Sequence, residues 1–130
     1  MSTFAKTPLK LLLYGLEEQL QAELSAALAG HFVTTLPAVN TNRCALALDR
    51  LGADILFCAS NFTCFDSAKR AVARACKSTP IVVVSRFPEM TEWLDAIEGG
   101  AADYCAPPFE AKQIAWILET NLERRRLAAA

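Results

Sequence analysis

Short, strongly apolar runs alternate with longer amphipathic segments along the chain. The apolar runs predict buried strands, because they hold few charged residues and several are rich in β-branched side chains. Strands are predicted over Leu9–Tyr14, Phe32–Leu36, Asp54–Ala59, Ile81–Val84 and Ala101–Cys105. Between them, apolar residues recur at helical spacing, which predicts helices over Glu17–Leu28, Asn40–Leu51, Asp66–Cys76, Glu89–Glu98 and Glu110–Leu127. This alternation indicates a parallel sheet covered by helices on both faces.

The pattern predicts an α/β fold of the flavodoxin-like, doubly wound type. In this (βα)5 three-layer sandwich, a parallel five-stranded sheet has the strand order 2-1-3-4-5. The second run is more polar than the others, as an edge strand would be. In this strand order, ligand sites lie where the carboxyl ends of strands 1, 3 and 4 converge. A functional site is therefore expected near Gly15, Ala59, Ser85 and Pro107.

Length and composition favour one cytoplasmic domain. We interpret residues 1–130 as a single domain with an N-terminal tail at 1–8, and residues 127–130 as a C-terminal tail or the start of a linker. The net charge is −1, with 13 basic and 14 acidic residues, which offers no basic surface for nucleic acid. We find no apolar run that predicts a signal peptide or a membrane span.

The five cysteines predict reduced thiols rather than a disulfide framework. They are odd in number, none forms a CxxC motif, and most lie in apolar stretches. The single histidine leaves little from which to build a histidine metal site. Cys64 is expected in a loop above the sheet. There a plain loop cysteine is favoured over a redox-sensitive thiol, because no basic residue nearby in sequence would lower its pKa.

The segment Pro80–Phe109 carries the most distinctive pattern in the chain. A β-branched strand ends at Ser85, a helix ends at paired glycines, and a short strand is followed by paired prolines. With GGAADY at Gly99–Tyr104 and PPF at Pro107–Phe109, the segment resembles the second half of a bacterial response-regulator receiver domain. The family has Ala-Gly-Ala-Asp-Asp-Tyr and Lys-Pro-Phe at these places. The resemblance extends over nearly the whole chain but is weaker in its first half.

The resemblance implies phosphoryl transfer to an aspartate at the end of strand 3. In the family, two acidic residues after strand 1 hold Mg²⁺, while a Ser or Thr and a Lys bind the phosphoryl oxygens. Here the acceptor position aligns with Ala59, the lysine with Pro107, and the acidic pair with Gly15 and Leu16, followed by Glu17.

Two further family positions are retained, Ser85 and Tyr104. In the family this tyrosine moves between inward and outward rotamers. A cis peptide bond is predicted between Pro107 and Pro108, because receivers usually have a cis bond before the proline of Lys-Pro.

The changed positions predict a degenerate receiver that is not an enzyme and holds no metal or cofactor. An alanine supplies no nucleophile, and one carboxylate does not make an ordinary Mg²⁺ site. Asp54 would lie at the opposite end of the sheet, and Asp66 is expected to cap a helix. The implied role is phosphorylation-independent signalling through protein contacts in two-component regulation, within a longer regulator that carries an output domain such as that of a transcription factor. Two alternatives stay open: binding of a small ligand at the strand ends, and phosphorylation of an atypical kind.

Two tryptophans suggest a contact surface. The resemblance implies that helix 4, strand 5 and helix 5 form the face for a protein partner or a homodimer. Trp116 is predicted to point away from the apolar face of its helix, formed by Ala111, Ile114, Ala115, Leu118 and Leu122. Trp93 is expected at the margin of the face formed by Met90, Leu94 and Ile97. The alternative is that each tryptophan lies flat over a neighbouring helix.

Overall fold

A computed structural model describes the backbone over residues 8–75, 78–86 and 90–129, and the side chains over the same ranges except 90–93 and 123–129. The strands are β1 (Leu9–Tyr14), β2 (Val33–Ala38), β3 (Ile55–Ala59), β4 (Ile81–Val84) and β5 (Asp103–Cys105). The helices are α1 (Glu18–Leu28), α2 (Thr41–Asp49), α3 (Phe62–Arg74), α4 (Met90–Glu98) and α5 (Ala111–Ala129). The strands are parallel and lie in the order β2-β1-β3-β4-β5, which confirms the predicted fold and the edge position of β2.

Side chains alternate between two core layers, one on each face of the sheet. Leu13, Phe57 and Val84 point to one face, and we call it the aliphatic layer, which α1 and α5 cover. Leu12, Cys58 and Val83 point to the other face, which we call the thiol layer because it also holds Cys44 and Cys64. Helices α2, α3 and α4 cover the thiol layer. The period-two alternation of strand side chains therefore explains why long apolar runs are buried on both sides.

Helix α3 begins earlier than predicted. The prediction placed residues 60–65 in a loop and Asp66 at the helix cap, but Asn61 is the N-cap and its Oδ1 accepts a hydrogen bond from the Cys64 N–H at 2.8 Å. Asp66 lies inside the helix and pairs with Arg70 at 2.9 Å, one turn further along. Only Ser60 and Asn61 therefore separate β3 from α3. In α2 the N-cap is Asn40, whose Oδ1 accepts a hydrogen bond from the Arg43 N–H at 2.9 Å.

Two predicted helix faces are wrong in part. In α4, Leu94 and Ile97 are 42% and 39% exposed, and Ala96 is the residue that the described part of the helix buries. A small side chain allows close packing of a helix on a sheet, so α4 turns its larger apolar residues outward.

In α5 the buried residues are Ile114, Ile117, Leu118 and Asn121, whereas Ala111 is exposed. The Asn121 side chain donates to the Ile117 carbonyl at 2.8 Å, so its buried amide has a hydrogen-bond partner. Helix α5 runs to Ala129, and no helix in the described ranges is long and apolar enough to cross a membrane.

Candidate functional site

The residues that follow β1, β3 and β4 meet at one edge, which we call the carboxyl edge of the sheet. Tyr14 pairs with Cys58, and Ala59 pairs with Val84, so Gly15, Ala59 and Ser85 lie on adjacent strand ends. The Ser85 N–H donates to the Cys105 carbonyl at 3.0 Å, which ties this edge to β5. The sequence-based expectation that these positions converge is confirmed.

At the acceptor position, Ala59 presents a methyl group that packs against the thiol layer. A methyl group cannot attack phosphorus or coordinate a cation. Asp54 lies at the other end of β3, where its Oδ2 accepts a hydrogen bond from the Lys10 N–H at 2.8 Å. The nearest aspartate in sequence before Ala59 is therefore part of the opposite edge of the sheet.

Gly15 occupies a position that another side chain could not enter without displacement. Its φ is +73°, a conformation that favours glycine. A Cβ built on Gly15 would lie 2.4 Å from the Cys64 sulfur. Because α3 starts early, Cys64 in its first turn fills the space beside Gly15. The absence of a side chain at position 15 and the placement of Cys64 are therefore coupled by packing.

The Arg86 side chain lies beside Glu17, the carboxylate that follows β1 at this edge. The Arg86 guanidinium lies 2.5 Å from Glu17 Oε1 and 3.5 Å from Glu23 Oε2, so it joins the segment after β4 to α1. The carboxylates raise the pKa of Arg86, mainly through the hydrogen bond to Glu17. At 3.5 Å the contact with Glu23 is an ion pair rather than a good hydrogen bond. Sequence analysis missed Arg86, and only its place just after a central strand could have suggested it.

The carboxyl edge does not fit the Mg²⁺ site that the fold implies. A hard cation needs several oxygen ligands, and Mg²⁺ sites usually include one or two carboxylates with good octahedral access. Gly15 and Leu16 bring no side-chain oxygen, and Glu17 already contacts Arg86. In the described ranges no three metal-ligating side chains come together.

Two thiols stand directly behind the edge. Interactions with the Cys58 thiol and with the Ala59 N–H lower the pKa of Cys64, against the opposing effect of burial. The interaction with Cys64, together with burial, raises the pKa of Cys58. As a thiol, Cys64 also contacts the Tyr14 carbonyl at 3.5 Å. The prediction that Cys64 lies in a loop is wrong, because α3 begins at Phe62 and its first turn buries Cys64.

The remaining family positions retain their places at or near the edge. Ser85 and Tyr104 are both buried, at 5% and 8% exposure, and Tyr104 belongs to the same core layer as Ala96 of α4. The peptide bond between Pro107 and Pro108 is cis, as predicted. Beside these prolines a groove of about 660 Å³ runs along α1, lined by Glu23, Ala26, Ala27, Pro107, Pro108 and Phe109.

Trp116 is 65% exposed on α5, which confirms that it points away from the buried face. The side chain of Trp93 lies outside the described residues. The four cysteines in the described ranges are buried free thiols, namely Cys44, Cys58, Cys64 and Cys105. Cys76 lies outside the described residues.

Solved structures of receiver domains match this architecture. The chain is similar to NtrX from Brucella abortus, with a TM-score of 0.79 and 18% identity over 94% of this chain and 28% of NtrX. It is similar to a response regulator from Thermotoga maritima, with a TM-score of 0.74 and 15% identity over 89% of this chain and 98% of that one. A third match is the receiver domain of a sensor histidine kinase from Pseudomonas aeruginosa PAO1, which holds a magnesium ion in its active-site cleft. Its TM-score is 0.71, with 16% identity over 89% of this chain and 98% of that domain.

No protein-family model matches the sequence, and no curated protein matches it either. At these low identities the comparison speaks for the architecture. With its strand order, its five helices and these neighbours, the chain has the fold of response-regulator receiver domains.

Proposed function

We propose that this chain is a degenerate receiver domain that signals through protein contacts without aspartyl phosphorylation. The observation that carries the proposal is Ala59 at the end of β3, where the receiver reaction needs a carboxylate nucleophile. Phosphoryl transfer also needs charge neutralisation by a metal and a cation. Gly15, Leu16 and Pro107 supply neither.

The contact between Arg86 and Glu17 supports the same proposal. In a metal-dependent receiver a divalent cation neutralises the carboxylates at this edge. Here a guanidinium from the chain itself lies on the single carboxylate left. Both side chains keep solvent access, so the pair contributes little to the free energy of unfolding. Its importance lies in occupying Glu17 rather than in stabilising the fold.

Exposed apolar side chains near the β5 edge support a role in protein contacts. Leu94 and Ile97 lie outward on α4, and Trp116 lies outward on α5. These helices cover opposite faces of the sheet and flank β5, which is an edge strand. Large exposed aromatic residues are enriched at protein interfaces. We therefore assign the surface of α4, β5 and α5 as the contact face.

The absence of phosphorylation chemistry can be tested by NMR. The domain is titrated with beryllofluoride and Mg²⁺, which together mimic a phosphoryl group on a carboxylate, and the amide signals of residues 15–17, 59 and 85 are followed. We expect no saturable shift, and the matched control is sodium fluoride with Mg²⁺ at equal ionic strength. Saturable shifts at Ala59 and Ser85 that appear with beryllofluoride and Mg²⁺ but not in the sodium fluoride control would disprove the proposal.

The contact face can be tested separately by light scattering of the wild type and Trp116→Ala over a range of concentrations. We expect the wild type to self-associate and Trp116→Ala to weaken that association by at least about tenfold. Phe32→Ala is the matched control, because Phe32 is also exposed, at 60%, but precedes β2 at the other edge of the sheet. Monomers for all three proteins would exclude a homodimer on this face, and equal weakening in Phe32→Ala would exclude a specific role for Trp116.

The groove beside Pro107 favours one alternative, a small ligand bound near the strand ends. It is largely apolar, and Glu23 and the nearby Arg86 supply charge. A thermal-shift screen against metabolites separates the two functions. A large, saturable rise in the unfolding temperature that is lost in Ala27→Phe, which narrows the groove, would favour the ligand.

Fusion to an output domain is a further part of the proposal. This chain spans 28% of NtrX, so a domain of this fold occurs there within a longer protein.

A further inference from the structure

Helices α3 and α4 border a cavity on the thiol-layer side of the sheet, which we call the α3–α4 cleft. It has a volume of about 400 Å³, within the range of ligand pockets. Its lining includes Phe62, Phe65, Lys69, Asp95 and Gly99. Because α1 and its groove lie on the opposite face of the sheet, the α3–α4 cleft is a separate site.

The Lys69 side chain reaches from α3 to the end of α4. Its Nζ donates to the Gly99 carbonyl at 3.2 Å and lies 4.7 Å from the centre of the Phe65 ring. These two contacts hold the ammonium in one place, beside the C-terminal end of α4. An ammonium has three donors, so the bond to Gly99 leaves donors for a further group. Lys69 is thus a positioned cation that can still bind a carboxylate.

Asp95 supplies the opposite charge on the α4 side of the cleft. The Gly99 N–H donates to the Asp95 carbonyl at 2.9 Å, so these two residues are one helical turn apart, about 5.4 Å along the axis. Neither Lys69 nor Asp95 belongs to an ion pair among the described residues. The cleft therefore carries a cation and a carboxylate that do not neutralise each other.

Two phenylalanines give the cleft an aromatic wall. Phe62 and Phe65 are three positions apart on α3 and so lie on the same side of the helix. Phe65 is buried beneath Lys69, whereas Phe62 is 77% exposed. A flat aromatic group placed against Phe62 would remove apolar surface from water and could stack on its ring. The wall therefore favours a ligand that carries a ring.

We propose that the α3–α4 cleft binds a free aromatic amino acid. Its ring packs on Phe62, its carboxylate accepts a hydrogen bond from Lys69, and its ammonium pairs with Asp95. A zwitterion with a hydrogen bond of about 3 Å at each end can bridge charges one helical turn apart. An aromatic side chain within a protein has neither charge beside it and would leave both groups unpaired. The proposal does not rest on the signalling role or on the contact face assigned above.

An NMR titration of the full chain with L-phenylalanine tests the proposal. We expect saturable shifts in the amide signals of residues 60–69 and 95–99, with a Kd of about 1 mM or tighter. Phenylpropionate lacks the ammonium and phenethylamine lacks the carboxylate, so each should bind at least about tenfold more weakly. N-acetyl-phenylalaninamide, which mimics a phenylalanine within a protein, should cause no saturable shift.

Two variants that each remove one charge assign the roles of the two sides. Lys69→Gln keeps a donor for the Gly99 carbonyl, and it should weaken L-phenylalanine and phenylpropionate by at least about tenfold but leave phenethylamine unchanged. Asp95→Asn should weaken L-phenylalanine and phenethylamine but leave phenylpropionate unchanged. Arg70→Gln is the matched control, because Arg70 is next to Lys69 but is 77% exposed and pairs with Asp66. It should bind all three ligands as the wild type does.

Three results would overturn the proposal. The first is that L-phenylalanine causes no saturable shift around the cleft. The second is that the neutral amide binds as tightly, which would indicate a protein side chain as the occupant. The third is that Arg70→Gln weakens binding as much as Lys69→Gln. Phe62→Ala gives an independent check, since its exposed ring can be removed without opening the core and its loss should also weaken L-phenylalanine at least about tenfold.

Discussion

The two core layers of this protein differ in the size of their side chains, although the same sheet contributes residues to both. In the aliphatic layer, α1 and α5 pack Leu and Ile side chains onto Phe57 and its neighbours, and Cys105 is its one buried cysteine among the described residues. The thiol layer holds seven alanines and three cysteines among the residues described there. Large side chains hold helices through buried volume, whereas small ones bring helices close to the sheet. We therefore expect the aliphatic layer to supply most of the stability.

The two layers should differ most in the free energy of unfolding that is lost when adjacent residues, one facing each layer, are truncated to alanine. Phe57→Ala removes a fully buried ring from the aliphatic layer and should lower the free energy of unfolding by about 3–5 kcal/mol. Cys58→Ala removes one buried sulfur from the thiol layer and should cost about 1 kcal/mol. Urea denaturation of both variants and the wild type measures the difference. Equal losses would show that the two layers contribute alike.

Much of this architecture could be predicted from the sequence, because most strands are apolar runs rich in β-branched residues or leucine and apolar residues recur at helical spacing between them. The alternation of five strands with five helices fitted the doubly wound fold, whose strand order the structure confirms. The start of α3 was missed because Asn61 was not considered as a cap and Phe62, now 77% exposed, looked like part of a loop. The signal was present, since Asn is a preferred N-cap residue.

Other features could not be predicted from the sequence. A sequence shows which apolar residues share one face of a helix, but not whether that face packs against the sheet. In α4 the stripe of Leu94 and Ile97 faces outward and Ala96 faces the core. The ion pair between Arg86 and Glu17 joins residues 69 positions apart, and nothing local announces it. The burial of Cys64 depended on the missed helix start, so one error at Asn61 hid both features.

Substitution of Gly15 tests how tightly the thiol layer is packed at the carboxyl edge. Gly15→Ala combines an unfavourable φ of +73° with a contact of 2.4 Å to the Cys64 sulfur, and it should cost about 2–3 kcal/mol. In a Cys64→Ala background the contact is relieved, and only about 1 kcal/mol for the backbone should remain. Gly52→Ala is the matched control, because Gly52 has a φ of +68° with open space around it, and it should also cost about 1 kcal/mol. A cost for Gly15→Ala that Cys64→Ala leaves unchanged would contradict the packing described here.

The smallest expected effect is a gradual fall in the free energy of unfolding at alkaline pH, to which thiols in both layers contribute. Cys44 and Cys105 ionise in the unfolded chain near the ordinary thiol pKa of 9.0, but burial raises their pKa in the fold to about 11 and about 12. The folded state therefore binds more protons above pH 9, and the free energy of unfolding falls as pH rises, by at most about 1.4 kcal/mol per pH unit for each thiol.

Denaturation series from pH 8 to 10 measure this slope. Cys44→Ala, in the thiol layer, and Cys105→Ala, in the aliphatic layer, should each reduce the slope of the free energy of unfolding against pH by the contribution of one thiol. An unchanged slope in both variants would mean that other groups control the alkaline behaviour.

The guanidinium of Arg86 has one more consequence at the carboxyl edge. Since it is part of the same chain as Glu17, the fold holds this cation beside the carboxylate, whereas a metal ion would have to be drawn from solution. Fluctuations in cellular divalent ions would leave the local potential almost unaltered.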